Sequence, residues 1–153
     1  MKKFAICLLS LVLSLCMLTA CGSADVDLKT VFDDINTQFG LSDLTVIEEA
    51  SKLNRYYMIE EAKVKQFAAE FSAESSVFTE IVLVEGVDEA AASEIATLLN
   101  NHLQSRLSEA KSYNPESVAM LEGCSVEQNG TYVSLIIADN AADIKAVYDS
   151  YFE

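Results

Sequence analysis

The sequence predicts an α+β fold: two β-hairpins form one antiparallel four-stranded sheet with helices mainly on one face, in the order α-α-ββ-α-ββ-α. Three observations predict it. Apolar residues recur at helical spacing in several separate segments. Two pairs of strand-length stretches lie between turn signals. The dipeptide Asn129-Gly130 marks a tight reversal, because both its residues tolerate positive φ.

The first helix covers residues 27–39, where Leu28, Val31, Phe32, Ile35 and Phe39 fall on one stripe and Gly40 supplies a stop. Leu44, Ile47, Ala50 and Leu53 predict a shorter second helix ending near Asn54. Residues 55–60 read as a turn with a short extended piece. From Val64 to Ser72 the pattern alternates, with Phe67, Ala69 and Phe71 on one side and Gln66, Ala68 and Glu70 on the other. After the turn-like Ala73-Glu74-Ser75-Ser76, residues 78–85 read as a strand covered on both faces for part of its length, paired with the preceding strand as a hairpin. Asp88 is an N-cap for a long helix to about Ser112, carrying Ile95, Leu99, Leu103 and Leu107.

Pro115 biases Asn114 away from helical angles and breaks that helix; a short helical turn follows over Ser117 to Leu121. Gly123 opens the second hairpin. With Asn129 and Gly130 as its turn, Gln128 faces Thr131, Glu127 faces Tyr132, and Val126 faces Val133. Cys124, Val126, Val133, Leu135 and Ile137 then share one face, and Ser125, Glu127, Tyr132, Ser134 and Ile136 the other. Asp139 caps a last helix carrying Ile144, Val147, Tyr148 and Tyr151. Two hairpin-plus-helix units in tandem make a loose structural repeat.

The start of the chain predicts an address. Lys2 and Lys3 precede an apolar run from Phe4 to Ala20, whose end reads into Leu18-Thr19-Ala20-Cys21-Gly22-Ser23. This is the pattern of a lipoprotein signal peptide (residues 1–20) with a lipobox: cleavage between Ala20 and Cys21 and a diacylglyceryl thioether on Cys21. A permanent membrane span would need about 20 apolar residues; this run is shorter, and Asp25 and Asp27 follow instead of a basic flank. Residues 21–25 form a lipidated anchor and short linker, and 26–153 a single domain. The expected location is the outer face of the cell membrane.

Of 10 Lys+Arg and 24 Asp+Glu, only Lys2 and Lys3 leave with the leader, so 8 basic residues face 24 acidic ones and the mature net charge is −16. Nucleic acid is excluded as a partner, because phosphate neutralisation needs basic clusters. Cys7 and Cys16 also leave and Cys21 is lipidated, so Cys124 has no disulfide partner. Its place on the apolar face reads as an inert core thiol.

The chain from about residue 26 to 152 resembles an uncharacterised domain family found in lipoproteins of Gram-positive bacteria, domain of unknown function 4358. The matching features are the lipobox, Glu80-Ile81-Val82-Leu83-Val84, the helix after Asp88, Tyr113-Asn114-Pro115-Glu116, and Asn129-Gly130-Thr131-Tyr132-Val133 before an acidic-capped helix. Where members have a Tyr-Gly step after the second helix, this chain has Tyr56-Tyr57-Met58. The resemblance implies location and fold and carries over no catalytic residue.

Residue chemistry points the same way. His102 stands at the edge of the Leu99/Leu103 stripe with no further histidine to build a metal site, and reads as a boundary residue rather than half of a dyad with Cys124. Acidic pairs such as Asp33/Asp34 and Glu60/Glu61 point apart on a helix, and no calcium-loop pattern is present. No catalytic residue, metal or cofactor is assigned. The expected function is a non-enzymatic interaction module with an unknown protein or envelope partner. It docks through Tyr132, Ser134, Ile136 and Glu127 if no helix covers that sheet face. The alternatives are an acidic domain responsive to divalent cations and, least favoured, a small envelope enzyme.

Overall fold

Helix α1 (Leu28–Phe39) starts where the Asp27 side chain accepts the Lys29 amide proton and stops at Gly40, whose φ of 65° is the left-handed closure that glycine allows. The computed structural model to which this helix belongs describes residues 25–153 apart from Ser42 and Ser75. The expected leader, the expected cleavage between Ala20 and Cys21 and the expected lipidation of Cys21 all fall outside the described residues.

The next stretch departs from expectation. A two-residue strand, β1 (Thr45–Val46), precedes helix α2 (Ala50–Tyr57), so the helix begins later and runs further than the apolar spacing predicted. The Leu44/Ile47 positions belong instead to chain drawn against the sheet, where the Ile47 amide donates to the Ala69 carbonyl at 2.8 Å. Met58 closes α2 in the left-handed region, at φ 62°. A side chain in that conformation costs about 1–2 kcal/mol relative to an unstrained residue.

Strands β2 (Val64–Phe71) and β3 (Glu80–Gly86) form the expected hairpin, with a register shift between Val64 and Gln66. Helix α3 (Glu89–Tyr113) is capped by Asp88, whose carboxylate accepts the Ala91 amide proton at 2.7 Å. Gly86 makes the tight entry possible: a Cβ there would stand 2.7 Å from the Ala92 amide nitrogen. After the break at Asn114 come a 3-10 turn (Pro115–Ser117), the short helix α4 (Val118–Glu122) and strands β4 (Val126–Asn129) and β5 (Tyr132–Ile137). Helix α5 (Ala141–Asp149) follows, with Asn140 rather than Asp139 at its N-cap and no side-chain capping bond there.

The described sheet has five antiparallel strands in the order β1-β2-β3-β5-β4, one more than predicted, among five α-helices. The second hairpin is also set differently: Asn129 pairs with Tyr132 and Val126 with Leu135, so Gly130 and Thr131 form the turn. Side chains alternate with a period of two, so this displacement leaves every residue on its predicted face. Facial patterning alone does not distinguish the two registers.

The helices cover both faces rather than mainly one. On one side α2, α3 and α4 pack Leu53, Ile95, Leu99 and Leu121 against Val82, Val84, Val133 and Leu135. On the other, α1 and α5 pack Val31, Ile35, Ile144 and Tyr148 against Ile81, Leu83, Tyr132 and Ile136. All residues of β3 and β5 are buried, and strands apolar on both sides need two covering layers.

Candidate functional site

Three elements converge on one buried carboxylate. Glu80 opens β3 and turns toward the α3 layer, opposite in parity to Ile81 and Leu83. Tyr57 is the last residue of α2, held in place by the turn at Met58, and His102 lies midway along α3. The Tyr57 hydroxyl donates to Glu80 Oε1 at 2.6 Å, and His102 Nε2 lies 2.9 Å from Glu80 Oε2. The Tyr57 ring also meets the imidazole edge-on, with centroids 4.9 Å apart. Both carboxylate oxygens are thus engaged although Glu80 is only 4% exposed. Burial first, and the Glu80 carboxylate second, push the Tyr57 phenol far above its ordinary range, so it remains a donor.

This cluster borders a cavity of about 240 Å³ lined by Tyr56, Tyr57, Met58, Leu98, Asn101, His102 and Ser105. Its rim carries two of the exposed large apolar side chains, Met58 and Tyr56. One wall is therefore apolar, while Asn101, His102 and Ser105 on α3 offer donors and acceptors. One turn beyond His102, the Arg106 guanidinium lies over the Phe78 ring, 4.4 Å from its centroid. Sequence reasoning missed this grouping, since Tyr57, Glu80 and His102 are each more than 20 positions apart. The available signal was a glutamate opening an otherwise apolar strand.

The residues expected to form an open docking face are placed otherwise. Tyr132, Ser134 and Ile136 are buried beneath α1 and α5, so the condition on which that face depended is not met. The Tyr132 ring packs edge-on against Phe152, and its hydroxyl accepts the Val26 amide proton at 3.0 Å. Glu127 is exposed and ion-paired with Lys145 at 3.0 Å. Cys124 is half-buried against the α3-side core, as its face predicted; burial raises its thiol pKa, and Sγ donates to the Met120 carbonyl at 3.3 Å. It lines a separate cavity between β4 and α5, so it does not join the His102 cluster. Among the described residues no three His, Cys, Asp or Glu side chains converge as a metal site would require, and no helix is long and apolar enough to cross a membrane.

An antiparallel five-stranded sheet lies between two helical layers, with a carboxylate–imidazole–phenol cluster beside a small cavity: an α+β domain. The model of the family described as domain of unknown function (DUF4358) matches residues 37–138, and the chain belongs to that family. No curated protein and no solved structure matches the chain.

Proposed function

We propose that this is a Gram-positive lipoprotein whose domain rides the outer leaflet on Cys21 and acts as a binding module, with the α2–α3 cavity as its recognition surface. The observation that carries this reading is the distance between tether and cavity along the sheet. Val26 is fastened by the Tyr132 hydroxyl and by Gln66 Nε2, which donates to the Val26 carbonyl at 2.8 Å; both lie level with Glu85. Cys21 and Val26 are five residue steps apart, at most about 17 Å when extended. Glu80 lies at the other end of β3, about 17 Å away by strand rise. On this reading the cavity lies at the end of the sheet away from the tether, and the hairpin turn at Gly130 at the tethered end.

Binding rather than turnover fits the cluster, because Tyr57 and His102 already occupy both oxygens of Glu80. Two measurements test the proposal. Cys21→Ala leaves an uncleaved precursor or releases the domain from membranes; a processed variant still fractionating with membranes overturns the anchor. A photocrosslinking residue replacing Met58 in the anchored protein captures a discrete partner that one replacing Asn129 does not. Equal capture from both positions, or from neither, overturns the recognition surface.

A further inference from the structure

A second buried carboxylate lies on the opposite face of the sheet, beneath α1. Glu70 is 1% exposed, and its Oε1 has no hydrogen-bond partner. Burial pushes its pKa up to about 7, with the Asn36 side chain acting in the opposite sense. The carboxyl lines a cavity of about 350 Å³, whose other walls are Asn36, Thr37, Leu41, Leu44 and Val46. Among these described lining residues Glu70 is the one ionisable group.

The donors around this cavity are largely committed elsewhere. Thr37 Oγ1 donates to the Asp33 carbonyl at 2.8 Å, and Asn36 Nδ2 donates to the Phe32 carbonyl at 3.2 Å. The second Asn36 N–H serves the Glu70 carboxyl itself, which is why it acts against burial there; what remains open is the threonine lone pairs and the asparagine carbonyl oxygen. Glu70 adds a carboxylate oxygen with nothing on it. An acceptor-rich site with one buried negative charge calls for a ligand that only donates and carries positive charge. A metal ion is the poorer match, since hard cations take six or more oxygens and several carboxylates. A primary ammonium has three N–H donors and no acceptor, matching the set in number and sign. Leu41, Leu44 and Val46 provide an apolar wall for the chain that bears it.

We propose that the cavity between α1 and β1 binds a primary ammonium group on a short aliphatic chain, with Glu70 as its counter-ion and Asn36 and Thr37 as neutral acceptors. The inference is independent of how the domain is anchored and of the α2–α3 cavity.

The full domain is titrated with n-butylammonium at about pH 8, where Glu70 is ionised and the amine remains protonated. The readout is the ¹³C shift of the Glu70 carboxyl alongside a calorimetric isotherm. Butylammonium is expected to bind and to lower the Glu70 titration midpoint. Glu70→Gln, which keeps the shape and removes the charge, weakens binding about ten- to a hundredfold, the range a lost charge-assisted hydrogen bond removes. Tetramethylammonium, a cation without N–H donors, and n-butanol leave the midpoint unmoved. Nα-acetyl-lysine amide separates two sources of the same group: tighter binding than butylammonium assigns the site to a lysyl side chain, and weaker binding to a free small amine. Equal affinity in Glu70→Gln, an unmoved Glu70 midpoint at saturating amine, or equal response to tetramethylammonium overturns the proposal. The carboxyl resonance reads the wild-type protein directly, so the outcome does not depend on the variant's folding.

Discussion

Glu85 and Glu70 sit on the same face of the same sheet, beneath the two ends of α1, and their environments are opposite. Burial acts to raise the pKa of both. At Glu85 that effect is outweighed by the Lys65 ammonium at 2.8 Å, the Gln66 amide at 2.6 Å and Thr131 at 3.4 Å, and the carboxyl falls below its ordinary value. At Glu70 no cation is in reach and one oxygen is orphaned, so the carboxyl rises to about 7. What separates them is the supply of donors. Near residue 26 the chain delivers a glutamine and a lysine from β2; near Gly40 it delivers the neutral Asn36 amide, shared with the α1 backbone, and no cation among the described residues.

The contrast fixes the sign of two pH dependences. A depressed carboxyl contributes stability that is full above the ordinary value of 4.5 and lost as pH falls through the folded pKa. A raised one does the reverse: between 4.5 and about 7 the folded state holds a proton that the unfolded state has released, so stability declines as pH rises through that window.

The largest effect is expected from Glu85→Ala. It strands Gln66 and half-exposed Lys65 without their acceptor and costs about 2–4 kcal/mol at neutral pH in urea denaturation. A loss below 0.5 kcal/mol, about the level of an exposed pair, would break the comparison. Next is Glu70→Gln, which gains about 1–3 kcal/mol at about pH 8 and converges with wild type near pH 4.5. A gain that does not vary with pH would show that ionisation of Glu70 is not its source. The smallest is Tyr57→Phe, which removes the donor from Glu80 Oε1 and makes that carboxylate resemble Glu70. It costs about 1–2 kcal/mol in urea denaturation, and a loss that Tyr57→Leu does not exceed would tie the cost to the hydroxyl rather than the ring.

Much of the scaffold was legible because its signals are local. Asp88 caps α3 as read, Gly40 closes α1, and the β2–β3 hairpin follows from alternation at Phe67, Ala69 and Phe71. The unread parts depend on contacts distant in sequence. Val46 forms a strand only because β2 offers an edge. The Asn129-Gly130 signal permits two registers of equal parity. Both helical layers were implicit in the apolar residues on both sides of β5, but Ile136 alone beside Tyr132 was not read as a second core. The candidate site was the least visible, because Tyr57, Glu80 and His102 meet through three separate elements, and Glu70 differs from Glu85 only in which neighbours arrive.

The fastening of Val26 also has a mechanical consequence. Its amide and carbonyl are tied to Tyr132 on β5 and Gln66 on β2, the two strands flanking β3. Tension entering at the amino-terminal end therefore divides between two inner strands before α1 is loaded. The domain should resist tugging from that side as a sheet under shear, rather than unravelling turn by turn.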